Sequence, residues 1–440
     1  MTGLPDAFVS LMRQQLGDEA DALLRALEEE RVRGLRFGGK RSRTDAKIPG
    51  VLERIPYARD GYYLEEQSPA GAMIAHEAGL YYLQEPAAML PAAVLCPQPG
   101  ERILDLCAAP GGKSTQIAAA MEGRGLLAAN EIVPSRARVL SGNLERMGIT
   151  NALVVSAEPA ELGRRWPAFF DAVLVDAPCS GEGMFRRVPE SRSEWSMSGV
   201  EGCQKRQREI LAAAAGMVRP GGRLVYSTCT LNHLENEDNA AWFLEHFPEF
   251  QMQMFSLPGV GETPGYFTCY PHRFRGEGQF VACFRRAGDD VCPELPGLPE
   301  AEAKDRKLLK EFASFDSPVQ RFGDTLVSLE TCPELRGLKV LRCGLHLGSV
   351  RSGRFTPDHA WAVSVKRPEL PEIQLTDEQA LQYLAGEVIR DVEGRGWVLA
   401  CWKGLCLGFG KISDGIMKNH YPKGLRKTHL SLGEDCGENL

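Results

Sequence analysis

The chain predicts an α/β protein, a mainly parallel sheet wrapped by helices, with smaller modules before and after it. Three observations carry that expectation. From Arg102 onward short apolar runs alternate with helical stretches, the pattern of βαβ units. A glycine turn, Asp105-Leu-Cys-Ala-Ala-Pro-Gly-Gly-Lys113, follows the first of these runs, and polar cysteine motifs follow two later ones. At 440 residues the chain is also too long for one core; a rule of about 150 residues per domain gives roughly three.

Taken in order, Pro5–Leu16 and Ala20–Arg33 carry apolar residues at helical spacing. A glycine-broken segment follows, with Arg31, Arg33, Arg36, Lys40, Arg41, Arg43 and Lys47. Strands are expected near Ile103–Cys107, Gly125–Asn130, Ala152–Val155, Ala172–Asp176 and Arg223–Thr228, with Phe280–Phe284 last. Helices are expected near Lys113–Met121, Pro134–Met147, Gln204–Val218 and Glu235–Phe247. Pro220-Gly221-Gly222 reads as the end of one helix and the turn into a strand. Gly288, Pro293, Pro296 and Pro299 mark a linker, and the runs Leu338–Arg342, His359–Val365 and Trp397–Phe409 suggest small β-rich modules. The resulting division is 1–75, 76–287, 288–370 and 371–440.

A hydrophobic fraction of 43% and a charged fraction of 25% are those of a globular protein. Met1–Ala20 lacks the layout of a signal peptide, and apolar runs fall short of the roughly 20 residues that span a bilayer, so a cytoplasmic protein away from membranes is expected. Thirteen cysteines without CxxC spacing indicate neither a disulfide framework nor a metal site. A net charge of −7 argues against unspecific polyanion binding, but Lys411, Lys418, Lys423, Arg426 and Lys427 crowd the tail as the earlier cations crowd theirs.

In the turn, Cys107, Ala108, Ala109, Pro110, Gly111, Gly112 and Lys113 join a strand to a helix, and such a turn lets amide groups face a ligand. Gly112-Lys113-Ser114 resembles the end of a phosphate loop, but Cys107 stands where that loop needs glycine, and Gly-x-Gly-x-x-Gly is absent. Glu131, ending the second strand, can accept both ribose hydroxyls of a nucleoside cofactor, or it starts a surface loop. Glu158, after the third strand, is a candidate for the adenine amino group.

Asp176-Ala-Pro-Cys179-Ser-Gly and Tyr226-Ser-Thr-Cys229-Thr put a carboxylate and two thiols at strand ends. A thiolate adds readily to the sixth carbon of a pyrimidine and makes the fifth carbon nucleophilic, provided an acid bonds the ring nitrogen; Asp176 is placed for that. The activated carbon can take the methyl group of S-adenosylmethionine. Either cysteine is a candidate nucleophile, since a Pro-Cys motif serves enzymes acting on DNA cytosine.

These motifs, with Tyr82-Leu-Gln-Glu-Pro86, Glu235-Asn-Glu237 and Lys418-Asn-His-Tyr-Pro-Lys-Gly-Leu425, resemble the RNA cytosine-5 methyltransferases of the Sun-domain family across essentially the whole chain. The resemblance implies a Rossmann-like core of the class I methyltransferases, an N-terminal helical RNA-binding segment and a PUA-like tail. It implies Cys229 as nucleophile and Cys179 as an aid to product release. Cys107 to Lys113, Glu131, Arg136 and Asp176 would line the pocket for S-adenosylmethionine and the base. The implied partner is RNA, foremost small-subunit ribosomal RNA, for a monomeric enzyme; a transfer-RNA methyltransferase and a non-catalytic ribosome-assembly factor are the alternatives. Two departures stand out. Arg36-Phe-Gly-Gly-Lys40 replaces the family's Arg-Val-Asn-Thr-Leu, and Glu158 replaces an aspartate.

Overall fold

The computed structural model describes residues 3–40, 44, 46–289 and 298–431. Its centre is a nine-stranded sheet, numbered here along the chain: β1 Arg102–Asp105, β2 Leu126–Asn130, β3 Ala152–Val155, β4 Phe170–Asp176, β5 Val218–Thr228, β6 Phe250–Met252, β7 Tyr266–Cys269, β8 Gln279–Arg286 and β9 Val340–Cys343. The order is β6-β8-β5-β4-β1-β2-β3-β9, with β7 also paired to β8. Strands β1 to β5 run parallel, which requires helical crossovers; β8 and β9 are antiparallel to their neighbours. The helices are α1 Gly112–Met121, α2 Pro134–Arg146, α3 Pro159–Arg165, α4 Met197–Met217 and α5 Glu237–His246.

The central strands are apolar on both faces because helices cover both. Residues of β1 to β3 are buried throughout, and two clusters, one around Trp166, Phe170 and Phe243, the other around Leu90, Ile117 and Leu140, fill the two sides. Each such side chain contributes about 1.5–3 kcal/mol of burial. Polar residues are therefore displaced to the strand ends, and the site lies there.

Several elements differ from expectation. The early region is not helical throughout: after Asp6–Leu16 and Ala20–Ala26 the chain turns into strand Arg33–Phe37, not helix to Arg33. That strand pairs with Gly61–Leu64 and Tyr81–Leu83 in a four-stranded antiparallel sheet completed by Val51–Arg54. Gly34 permits it, since a Cβ there would stand 2.9 Å from the Gln84 carbonyl oxygen. Its charges also turn inward. Arg36 and Lys40 are buried, and Arg33 donates to the carbonyls of Glu65, Glu66 and Ser68. Arg41 and Arg43 lie outside the described residues, as do Pro293 and Pro296 of the expected linker.

Pro220-Gly221-Gly222 does not precede its strand but lies within β5, as an irregularity in the pairing with β4. The run from His359 forms a helix, His359–Val363, rather than a strand, because Asp358 caps its first turn through the Ala360 N–H. Sheets also cross the expected boundaries at 76 and 288: Tyr81–Leu83 belongs to the N-terminal sheet, and β9 to the central one.

Beyond residue 298 a four-stranded sheet, Gln320–Phe322, Thr325–Ser328, Leu345–Arg351 and Arg354–Pro357, precedes a five-stranded one built on the hairpin Gly396–Trp402 and Leu405–Ser413. The last module shares a core with the N-terminal sheet, where Leu35, Ile74 and Tyr81 meet Tyr383, Leu384 and Met417. Arg186 and Glu277, both buried and 2.8 Å apart, tie the N-terminal helices to the core, Arg186 also donating to the carbonyls of Ala26 and Glu30. Removing one partner of such a pair costs about 3–5 kcal/mol. No helix among the described residues is long and apolar enough to cross a membrane.

Candidate active site

The carboxyl ends of β1, β2, β4 and β5 carry Asp105, Asn130-Glu131, Asp176 and Cys229 on one edge of the sheet, where open α/β sheets take ligands. Between β1 and α1 the turn is fixed by its neighbours. The Ala108 N–H donates to the Asn130 carbonyl (2.8 Å), Asn143 Nδ2 donates to Pro110 O (2.9 Å), and Arg136 donates to Ala109 O (3.1 Å). Gly111 sits at φ 113°, a conformation closed to larger residues, and places the start of α1 without a capping side chain. Burial pushes the Cys107 thiol up, so it contributes backbone rather than a reactive sulfur.

Glu131 is nearly buried; one oxygen accepts from Val133 N–H (2.9 Å) and the other pairs with Arg136 (3.3 Å), itself more than half exposed. Asp105 is fully buried, accepts from Ser114 Oγ at 2.6 Å, and keeps its other oxygen without a partner among the described residues. Burial raises its pKa to about 7. A buried carboxylate at the second strand end, an orphaned carboxylate oxygen and an uncapped helix N-terminus fit the ribose and amino-acid portions of S-adenosylmethionine. Glu158 lies exposed at the start of α3.

The thiols meet. Cys179 Sγ and Cys229 Sγ are 3.2 Å apart, both in partly buried loops. Lys113 reaches across from the cofactor turn to Asp176 (2.7 Å), and Ser227 Oγ donates to the other Asp176 oxygen (2.7 Å). Burial alone would lower the Lys113 pKa, but Asp176, with Cys229 and Asp105, lifts it above its ordinary value. Lys113 thus bridges the cofactor turn and the thiol site. The hydrogen bond with Cys229, then burial, push the Cys179 pKa well up, which keeps Cys179 a protonated thiol.

Sequence reading missed what holds the two loops. Ser180 and Thr230, each directly after a cysteine, share a hydrogen bond of 2.8 Å, and fully buried Glu235 accepts from the Ser180 N–H (3.1 Å), Gln207 (2.7 Å) and Asn232 (2.8 Å). Glu182, also fully buried, accepts from the Leu231 and Asn232 N–H groups (2.9 Å each) and from Trp195 (3.0 Å). Their signal was available: both glutamates lie in the short polar motifs around the cysteines, where burial of a carboxylate demands such partners.

Comparisons with known proteins identify the family. The family model described as 16S rRNA methyltransferase RsmB/F matches residues 92–285, and models of the RsmF N-terminal, first C-terminal and PUA domains match 4–86, 303–365 and 370–427. The chain is 32% identical to ribosomal RNA small subunit methyltransferase F of Escherichia coli O127:H6, covering 96% of each, and 31% identical to that of Enterobacter sp. (strain 638), covering 96% of this chain and 95% of the relative. Among solved structures, a methyltransferase homolog protein from Pyrococcus horikoshii is similar with a TM-score of 0.55 at 28% identity, over 65% of this chain and 96% of that one. NSun6 from the same organism, solved with SFG, shares the fold with a TM-score of 0.55 at 21% identity, over 66% of this chain and 100% of that one. The chain belongs to the 16S rRNA methyltransferase RsmB/F family, with the domain set of RsmF, and is an S-adenosylmethionine-dependent methyltransferase.

Proposed function

We propose that the protein methylates carbon 5 of a cytosine in small-subunit (16S) ribosomal RNA, acting as a cytoplasmic monomer. The observation that carries the reading is the pair of thiols at 3.2 Å beside the Lys113–Asp176 bridge. The names of the full-length relatives supply the RNA class.

The target base must first leave its stack and enter the pocket. Cys229 Sγ then bonds to carbon 6 of the ring, and the displaced electron pair makes carbon 5 nucleophilic. Asp176, held by Ser227 and Lys113, accepts from the exocyclic amino group and relays the proton that the Cys229 thiol gives up to the third nitrogen, where charge develops. S-adenosylmethionine supplies the methyl group, carried on a cationic sulfur that leaves neutral. Loss of the proton on carbon 5 to a base restores the double bond and breaks the carbon–sulfur bond, its electrons returning to Cys229 with the proton from the third nitrogen. Cys179, a protonated thiol 3.2 Å away, donates a hydrogen bond to that departing sulfur. In the cofactor pocket, Cys107 to Lys113 supply the turn, Glu131 the ribose acceptor, Arg136 its brace and Glu158 the adenine contact.

The test is incubation of small-subunit ribosomal RNA, or small subunits, with methyl-labelled cofactor. Wild type is expected to yield 5-methylcytosine, Cys229→Ala no product, and Cys179→Ala a covalent protein–RNA adduct that persists in denaturant. Undiminished product from Cys229→Ala would sink the proposal. Adduct accumulating in Cys229→Ala instead would reverse the two roles.

A further inference from the structure

Away from the sheet edge, three modules meet around an open cavity of about 400 Å³ that the chemistry above does not use. Its walls come from α2 (Glu145), from the first C-terminal module (Thr356, Asp358, His359) and from the last module (Phe409, His420). The volume is that of a small-molecule site. Its place is set by α2, whose Arg136 braces the cofactor turn; Glu145 lies nine residues further on, so the cavity is about 14 Å along the same helix at about 1.5 Å per residue.

The lining has a definite chemistry. Phe409 forms an apolar wall, and the exposed His420 ring lines the cavity, backed by half-buried Trp397, which packs against it with ring centroids 4.4 Å apart and the planes tilted by 54°. Aromatic faces of this kind stack single-stranded bases at about 1–3 kcal/mol each. Inside stand two carboxylates. Glu145 is paired with buried Arg342 (2.6 Å), and Asp358 accepts from the Ala360 N–H (2.9 Å), leaving each with further acceptor capacity. They repel a phosphate and favour a ligand with N–H groups. Two exposed cations stand outside: Lys411 lies over the Trp397 ring at 5.4 Å, and Lys418 is on the neighbouring strand, paired in register with Lys411. Burial, then these two lysines, hold the His420 pKa down, so its ring is a neutral stacking partner at pH 7.

We infer that the cavity binds one unpaired, amino-bearing nucleobase of the RNA, adenine or cytosine, stacked on the His420 ring with its amino group toward Asp358 and Glu145 and its phosphates on Lys411 and Lys418. The inference deepens the RNA reading above and rests on it for the source of the base. It also gives the tail motif a task, because His420 is the third residue of Lys418-Asn-His-Tyr-Pro.

The full-length protein is titrated with fluorescent twelve-nucleotide oligoadenylate, oligocytidylate and oligouridylate. Adenylate and cytidylate are expected to bind at least fivefold tighter than uridylate, which lacks the amino group. Thr356→Trp, at an exposed position of the rim, fills the cavity and is expected to level the three affinities; His420→Ala removes the stacking ring and is expected to do the same if the first variant fails to fold. Equal affinities in wild type, or a preference that survives both variants, overturns the inference. Methylation of small-subunit RNA is assayed in parallel. A KM raised at least fivefold with kcat unchanged in Thr356→Trp supports the site, whereas wild type without methyl transfer would overturn the proposed function and leave the base preference to be judged by the oligonucleotides.

Discussion

The early and late basic segments look alike in sequence and differ in the fold. In the early one, Arg36 is buried and donates to Thr115 Oγ1 (2.7 Å), to the Gly112 carbonyl and to Gln84, so an N-terminal strand grips the first turn of the cofactor helix. Lys40 donates to the carbonyls of Ala78 and Arg146 (2.9 Å each). In the late one, Lys411, Lys418, Lys423, Arg426 and Lys427 are all exposed. A cluster of cations therefore says little about nucleic acid until its direction is known: Arg36 braces the cofactor helix and Lys40 the end of α2, while Arg31, Lys47 and the late cations are exposed.

Arg36→Ala is expected to break that contrast most severely. It leaves a cavity and strips acceptors of a charged donor, at about 3 kcal/mol by denaturant unfolding, and it weakens cofactor binding without altering the salt dependence of RNA affinity. A stability change below about 0.5 kcal/mol would show the early charge to be ornamental.

Acid is expected to act on the other end. Burial pushes the pKa of His359 down to about 4 and of His346 to about 3, against about 6.5 in an unfolded chain. Between those values the unfolded state binds more protons, so stability is fully present above about pH 6.5 and falls as pH drops toward 3, by up to about 1.4 kcal/mol per pH unit for each of the two histidines. Burial lowers Arg36 only to about 10, so it stays charged throughout this range. Hydrogen exchange across pH 4–7 should loosen residues 345–363 before 33–37, and His359→Gln should flatten part of the pH dependence.

Replacing Lys423, Arg426 and Lys427 together by Gln sharpens the comparison from the tail side. The slope of log affinity against log salt should fall by up to about 2 for single-stranded RNA, at about 0.7 per phosphate contact, while unfolding stability stays within about 0.5 kcal/mol per site. The smallest effect expected is that of Glu158→Ala: being exposed, it should weaken cofactor binding only severalfold by calorimetry. No change would remove Glu158 from the pocket.

Much of the catalytic edge was legible because parallel strands buried on both faces leave polar residues only at their ends. Hence Glu131, Asp176, Cys179 and Cys229 stood out, and the strands around them were found within a few residues, whereas Asp105 was read only as the end of a strand. What escaped depended on partners distant in sequence. Glu235 reaches Ser180 across 55 residues, and Arg36 reaches Thr115 across 79. Strand Arg33–Phe37 is defined by pairing with Tyr81–Leu83, which no local periodicity announces. The helix at His359 was hidden by an apolar run too short to separate the two periods, although Asp358 before it was a cap in plain view.

Strand β9 closes the side of the sheet next to β3 from beyond residue 298, so until the ribosome has extruded residue 343 the nascent methyltransferase core carries an open, sticky margin. Trimming the protein at residue 288 would recreate that immature intermediate permanently, and the expected product is an insoluble aggregate rather than a minimal enzyme.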